Sequence, residues 1–166
     1  MAIRLLDAGD AGAMLALRES NRDHFRRSEP IRPASWFTLA EQERWLGGVE
    51  DVILGAFVDD ELAGFARIGQ ITRGGFQNCY LGYAIGERFG RRGVATALVR
   101  AAVDHAFSGL GLHRVQANVR TTNEASKRVL LKTGFRREGL ALRYLELDGA
   151  WVDHDLFAIT AEDRQG

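Results

Sequence analysis

The chain turns from a strand into a helix at Gly86-Glu87-Arg88-Phe89-Gly90-Arg91-Arg92-Gly93-Val94-Ala95-Thr96. The apolar run before this turn predicts the strand, and the alanine-rich run after it predicts the helix. The first N–H groups of a helix have no acceptor within the helix, and the helix dipole adds positive potential there. The turn therefore predicts an anion site, because its glycines admit close approach and its arginines add charge. An ordinary turn with solvated arginines is the alternative interpretation.

The composition predicts one globular domain over residues 1–166. The hydrophobic fraction is 46% and the charged fraction 27%, and the 22 Lys and Arg residues balance 22 Asp and Glu residues. Zero net charge offers no general attraction to nucleic acid or to an anionic membrane, so neither is an expected partner. No apolar run is as long as a membrane span, and the N-terminal residues carry no signal-peptide pattern.

The single cysteine and the four histidines predict neither a disulfide framework nor a metal site. Cys79 lies in the apolar run before the glycine turn, where a buried strand thiol is a simpler interpretation than a nucleophile. One cysteine also favours a cytoplasmic location. The histidines have no spacing typical of metal ligands.

The order of elements predicts an α+β fold, β-α-α-β-β-β-α-β-α-β-β, with helices on both faces of a mostly antiparallel sheet. The polar segment Asn21–Pro33 holds both prolines and predicts a loop of functional interest. Asp148-Gly149 predicts a hairpin between strands Leu140–Leu147 and Trp151–Thr160. The glycine spacing differs from a dinucleotide fingerprint, and no P-loop lysine follows it.

Several motifs span nearly the whole chain: Asn21-Arg22 with Glu29-Pro30, Arg73-Gly74-Gly75-Phe76, Cys79-Tyr80-Leu81-Gly82-Tyr83, Arg91 to Thr96, Asn123-Glu124-Ala125-Ser126, Gly134-Phe135 and Asp148 to His154. Together they resemble the GNAT superfamily of acetyl-CoA-dependent N-acetyltransferases, and within it the RimJ/RimL branch. The resemblance implies a single GNAT-like domain with a mixed, mostly antiparallel seven-stranded sheet. Its central parallel strands, here 77–85 and 114–119, would splay apart to admit acetyl-CoA.

The resemblance also implies a set of cofactor-binding residues. The pyrophosphate of coenzyme A would lie on Arg91, Arg92, Gly93, Val94, Ala95 and Thr96. The strand edge at Ala84 and Ile85 would pair with the pantetheine arm, and one N–H there would stabilise the oxyanion. Asn123 would contact the pantetheine, and Ser126 would protonate the leaving thiolate.

Two positions depart from the family pattern. Gly90 stands where the family often has Gln or Arg, which could loosen the phosphate site unless Arg91 compensates. Leu145 stands where RimL-like enzymes carry a glutamate base, and the neighbouring Glu146 would face the other side of its strand.

The substrate-side candidates are therefore few. Ser126, Tyr144 and Glu29 are the catalytic candidates, and Tyr80 and Glu146 are further substrate-side candidates. For all of these except Ser126, a surface or packing role is an equally good interpretation. For Ser126, the alternative is a helix-start serine that bonds only to backbone.

A site without a strong base favours an N-terminal amine as the acceptor. At neutral pH, deprotonation costs about 1 kcal/mol for an α-amine and about 4–5 kcal/mol for a lysine amine. The expected reaction is direct attack by a polypeptide N-terminus, of the ribosomal-protein alanine type, in a ternary complex with acetyl-CoA. The alternatives are a polyamine or aminoglycoside-like acceptor, which the basic loop disfavours, and a non-catalytic acyl-CoA-binding module. A homodimer is left open.

Overall fold

The computed structural model describes residues 1–164. Its helices are α1 (Ala11–Ser20), α2 (Arg22–Arg26), α3 (Leu39–Leu46), α4 (Val94–Asp104) and α5 (Glu124–Lys132). Its strands are β1 (Ala2–Leu5), β2 (Val52–Val58), β3 (Glu61–Thr72), β4 (Asn78–Ile85), β5 (Arg114–Arg120), β6 (Arg136–Leu147) and β7 (Ala150–Thr160).

Over residues 1–164 the strands form one seven-stranded sheet in the order β1-β2-β3-β4-β5-β7-β6. The neighbouring strands β4 and β5 are parallel, and the other pairs are antiparallel. The α4 helix connects the two parallel strands, as a crossover must. This topology confirms the predicted α+β fold with a mixed sheet.

Turn chemistry explains the hairpins. Asp59 and Asp60 have φ angles of 51° and 63°, and Asp148 and Gly149 have φ angles of 50° and 79°. Two consecutive positive φ values are typical of the type I′ turn, whose twist suits a two-residue hairpin. The predicted hairpin at Asp148-Gly149 therefore forms where the sequence indicated.

Separate apolar clusters cover the two faces of the sheet. Helices α1 to α3 cover one face, where Met14 and Leu17 pack near Phe65 of β3. Helices α4 and α5 cover the other face, where Leu98 and Leu130 pack with strand residues. The predicted helices on both faces are thereby confirmed. No helix within residues 1–164 is long and apolar enough to span a lipid bilayer.

Two local predictions have different outcomes. Cys79 is completely buried, and burial raises the pKa of its thiol to about 12, so it is unsuited to nucleophilic chemistry. The prediction that Asn21–Pro33 is only a loop is wrong in its first half, where α2 forms. Phe25 anchors this helix, because its buried ring packs edge-on against Phe65 at a centroid distance of 6.3 Å.

Candidate active site

The sheet opens at its centre. Strands β4 and β5 pair over three residues, from Asn78↔Arg114 to Tyr80↔Gln116, and no further pairing follows among the described residues. Both strands continue beyond that point, β4 to Ile85 and β5 to Arg120. The two parallel strands therefore splay apart, as the family resemblance implied, and leave a gap bordered by unpaired backbone.

Backbone alternation determines which groups of β4 face this gap. The Gly86 N–H donates to the Ala63 carbonyl oxygen at 2.8 Å, so Gly86 points toward β3. Because hydrogen-bonding direction alternates along a strand, Ala84 also points toward β3, whereas Tyr83 and Ile85 point into the gap. Of the two predicted edge residues, Ile85 therefore presents its backbone groups to the gap.

The N-terminus of α4 has free donors. Gly93 precedes the helix with φ 79°, Arg91 has φ 60°, and no side chain caps the helix. The first bond inside the helix runs from the Ala97 N–H to the Gly93 oxygen at 3.1 Å. The N–H groups of 94–96 thus lack intrahelical acceptors. A Cβ added at Gly93 would meet no atom within 4 Å, so the space in front of these donors is open.

Positive side chains surround this helix N-terminus. Arg91 and Arg92 are exposed, and the Arg92 guanidinium lies 5.7 Å from the Phe89 ring centroid. Arg88 stacks on the same ring and pairs with Glu61. Uncapped N–H groups with adjacent arginines are the donor set that a diphosphate requires. The residues present therefore fit a coenzyme A diphosphate.

The start of α5 faces the gap from the side of α4. The Asn123 Oδ1 accepts the Ser126 N–H at 3.1 Å, so Asn123 caps this helix as a good N-cap residue does. The Ser126 hydroxyl lies 2.6 Å from the Tyr83 hydroxyl of β4. The Tyr83 hydroxyl also donates to the Ser126 carbonyl oxygen at 3.3 Å. The two predicted α5 residues are thus brought to the gap together with Tyr83.

Tyr83 is a candidate that the sequence did not single out. Burial raises the pKa of its phenol to about 12, although the hydrogen bond with Ser126 opposes this rise. The phenol therefore keeps its proton at neutral pH. Its signal in the sequence was the alternation of β4, which puts Tyr83 on the same face as Leu81 and Ile85.

Tyr144 lies on the opposite face of the sheet, beside β5. Its hydroxyl oxygen accepts a hydrogen bond from Asn118 Nδ2 at 2.7 Å, and its ring centroid is 5.2 Å from that of His154. The buried His154 donates from Nδ1 to the Val152 carbonyl oxygen at 3.1 Å. The Asn118 Oδ1 is buried without a protein partner among residues 1–164. This leaves a neutral hydrogen-bonding pair, Asn118 and Tyr144, next to the gap.

Glu29 is held in an ion pair. Its carboxylate lies 3.3 Å from Nη1 of Arg18, which is only 3% exposed. Burial lowers the pKa of Arg18, and Glu29 opposes that change. The Arg18 guanidinium also lies 4.7–5.0 Å from the ring centroids of Trp36, Trp45 and Phe65. Glu29 therefore compensates a buried cation, which competes with a role as a free base.

The α2 segment links both ends of the site. At its start, Asn21 Oδ1 accepts the Glu87 N–H at 2.8 Å, next to the glycine turn. At its end, Arg26 pairs with Asp148 of the β6–β7 turn at 2.8 Å. The segment predicted as a loop thus connects the anion site with the closing hairpin.

The remaining substrate-side candidates lie apart from one another. Tyr80 is half-buried in β4 at the last pair before the gap. Leu145 pairs with Val152, and the exposed Glu146 pairs with Trp151 near the hairpin turn. Within residues 1–164, the structure brings together no group of three or more His, Cys, Asp or Glu residues that could hold a metal ion.

A bulge alters the alternation of β6. Ala141 pairs with His154 and Leu145 with Val152, so β6 contains two more residues than β7 over this stretch. Simple counting along the strand therefore does not assign faces between Ala141 and Leu145.

The family follows from comparison with known domains. The model of the Acetyltransferase (GNAT) domain matches residues 1–136. The chain belongs to the GNAT acetyltransferase family. This membership confirms the predicted family and the N-acetyltransferase class, and it agrees with the open sheet.

Known GNAT proteins resemble the chain over nearly its full length. The probable N-acetyltransferase YjcK of Bacillus subtilis (strain 168) is 36% identical, covering 98% of this chain and 95% of that protein. The [Ribosomal protein uS5]-alanine N-acetyltransferase of Escherichia coli (strain K12) is 31% identical, covering 98% and 89%. Mycobacterium smegmatis RimJ, solved in complex with CoA-disulfide, is 33% identical with a TM-score of 0.84, covering 97% and 82%. The expected cofactor thus agrees with that of a solved GNAT relative.

Proposed function

We propose that this GNAT enzyme transfers the acetyl group of acetyl-CoA to the N-terminal α-amine of a polypeptide, of the ribosomal-protein alanine type. The relationship to the uS5-alanine enzyme supports this acceptor class. The observation that carries the proposal is the neutral pair Asn118–Tyr144 beside the gap, together with the engagement of Glu29 by Arg18. A site whose nearby carboxylate is already engaged in an ion pair suits an amine of low pKa, which loses its proton without a strong base.

The geometry of the gap supports the following cofactor contacts. Acetyl-CoA supplies an activated thioester when bound. The N–H groups of 94–96, with Gly93, Arg91 and Arg92, would hold its diphosphate. The β4 edge that contains Ala84 and Ile85 would meet the pantetheine arm, and the backbone groups of Ile85 and Tyr83, which point into the gap, would supply the hydrogen bonds. Asn123 keeps its Nδ2 for the same arm, because Oδ1 caps α5.

The chain's own residues then move protons. With acetyl-CoA bound, Ser126 would donate its hydroxyl proton to the leaving thiolate, and the protonated Tyr83 phenol 2.6 Å away would pass its proton to Ser126. The proton that the acceptor amine releases to solvent would balance the one that solvent returns to Tyr83. On the acceptor side, Asn118 donates to the Tyr144 oxygen. The remaining lone pair of that oxygen can accept an N–H of the attacking amine or of a bridging water, and so orient it.

The difference in amine pKa gives the proposal its physical basis. Freeing an α-amine at neutral pH costs about 1 kcal/mol, against about 4–5 kcal/mol for a lysine amine. By the family pattern, Leu145 stands at the position of the RimL base, and a leucine supplies no carboxylate there. We further infer one domain over residues 1–166 that acts in the cytoplasm, where ribosomal proteins are made.

Thiol-release kinetics test this function. The purified chain is given acetyl-CoA and peptides beginning with Ala, Ser, Thr or Met, each matched by the same peptide with a blocked N-terminus and an internal lysine. Spermidine and an aminoglycoside complete the panel. We expect turnover with free N-termini, alanine first, and none with the blocked peptides.

Other outcomes would redirect the proposal. Faster turnover of spermidine or the aminoglycoside would replace it with small-molecule acetyl transfer. Coenzyme binding without transfer to any amine would indicate a non-catalytic acyl-CoA-binding module.

A further inference from the structure

A pocket of about 280 Å³ lies between the segment after α2 and the β6–β7 hairpin. Its walls are mostly apolar, and one carboxylate is among them. The lining residues are Pro30, Ile31, Leu145, Glu146, Gly149 and Trp151. Ile31 and Trp151 are 59% and 62% exposed, so two large apolar side chains are accessible to a bound molecule.

The charge of this pocket belongs to Glu146. Among residues 1–164, no Lys, Arg or His lies within ion-pair distance of its carboxylate. The nearby Asp148 differs, because Arg26 already pairs with it at 2.8 Å. The pocket therefore offers one uncompensated negative charge beside an exposed indole ring.

The pocket lies on the β6 side of the gap, two strands across the sheet from β5. Across β5, β7 and β6, Arg120 pairs with His154, and Leu145 pairs with Val152. Adjacent strands are about 4.8 Å apart, so β6 lies roughly 10 Å from β5. An extended peptide rises about 3.3 Å per residue, so the two residues after an N-terminal residue held in the gap come within side-chain reach.

We propose that this pocket is a subsite for a lysine or arginine side chain at the second or third residue of the acceptor polypeptide, with Glu146 as its counter-ion. This inference rests on the proposed function. The methylene groups of a long basic side chain match the apolar walls formed by Ile31 and Leu145. Its charged end meets Glu146 and the face of Trp151, which suits cation–π contact. An acidic side chain at the same position would be repelled by the Glu146 carboxylate.

A peptide series with charge-altered variants tests the subsite. Peptides beginning with Ala carry Lys, Leu or Glu at the second or third residue, and kcat/KM is measured for the wild-type chain, Glu146→Gln and Glu146→Lys. Glu50→Gln, an exposed site between α3 and β2, is the matched control. We expect the wild type to favour Lys over Leu by up to about fivefold, the range of an exposed ion pair.

The variants distinguish an effect of the Glu146 charge from an effect of the pocket's shape. We expect Glu146→Gln to lose the Lys preference, Glu146→Lys to favour Glu, and Glu50→Gln to behave as the wild type. High salt should shrink the wild-type preference, because exposed charges are screened. A preference that survives in Glu146→Gln, or a wild-type preference for Leu, would overturn the subsite alone. Failure to acetylate any peptide would overturn the proposed function and the subsite with it.

Discussion

The Ser126–Tyr83 hydroxyl pair is where single residues are expected to control catalysis. The two oxygens are 2.6 Å apart, and the raised pKa of Tyr83, about 12, keeps the phenol protonated in the working pH range. We expect Ser126→Ala to lower kcat about 100-fold, the lower end of general acid catalysis, with little change in KM for acetyl-CoA. Tyr83→Phe should lower kcat by a smaller factor, because the Ser126 hydroxyl can still donate its proton to the thiolate and only its reprotonation by Tyr83 is lost.

Steady-state kinetics across pH check this assignment. Activity should rise with pH as the acceptor α-amine loses its proton near pH 7.7–8.0, roughly its reference pKa, and Tyr83 should add no ionisation below pH 10. Ser108→Ala, at an exposed serine, is the matched control. Unchanged kcat in Ser126→Ala would remove Ser126 as the acid.

Residues differ in how far the sequence predicts them. Asn123 and Ser126 were predictable, because an N-cap and the residue three positions later form a local pattern. Tyr83 meets Ser126 only because β4 and α5, 43 residues apart in the sequence, pack together. Arg18 is similar, since nothing in its own helix shows that aromatic rings from other elements bury it. Local sequence patterns do not reveal contacts between residues that are far apart in the chain.

The glycine turn before α4 is the element on which coenzyme binding depends. Gly93 has φ 79°, and a side chain there would enter the open space before the uncapped N–H groups. We expect Gly93→Ala to destabilise the fold by about 1 kcal/mol through backbone strain and to raise KM for acetyl-CoA about tenfold or more.

Gly74→Ala provides the matched control for this element. Gly74 has φ 72° and equally open surroundings, but it lies in the β3–β4 turn. Gly74→Ala should lower the free energy of unfolding, measured with denaturant, by a similar amount and leave KM for acetyl-CoA unchanged. Equal KM effects at both glycines would mean that strain alone is responsible, and would remove the diphosphate from this turn.

Strands and turns were the most predictable elements. The Asp148-Gly149 hairpin follows from local turn chemistry. The bulge of β6 was not predictable, because it depends on tertiary contacts. Arg143 takes φ 47° there, and its N–H donates to Asp153 Oδ1 at 2.7 Å. The sequence therefore indicated that β6 borders the site, but not which of its residues face it.

At the scale of the whole molecule, the sheet consists of two parts joined weakly at the centre. Three residue pairs connect β4 with β5, and packed helices supply the rest of the connection. Arg26 of α2 adds to it through Asp148 of the β6–β7 turn, at 2.8 Å. A molecule that inserts between the parts replaces missing strand pairing, so its binding should stabilise the entire fold.

Coenzyme A is therefore expected to raise Tm. A ligand at 100 times its Kd adds about 2.7 kcal/mol to the free energy of unfolding. For a chain of this size, that corresponds to roughly 5–10 °C. Differential scanning calorimetry measures the shift, and Gly93→Ala at the same coenzyme concentration should give a smaller one.

Amide hydrogen exchange then locates the effect. The N–H groups of Tyr83 and Ile85, which face the gap, should gain protection with coenzyme A, whereas that of Ala84 is already bonded toward β3 and should change little. A Tm shift with protection confined to other strands would contradict insertion at the gap, and no shift at millimolar coenzyme A would contradict binding itself.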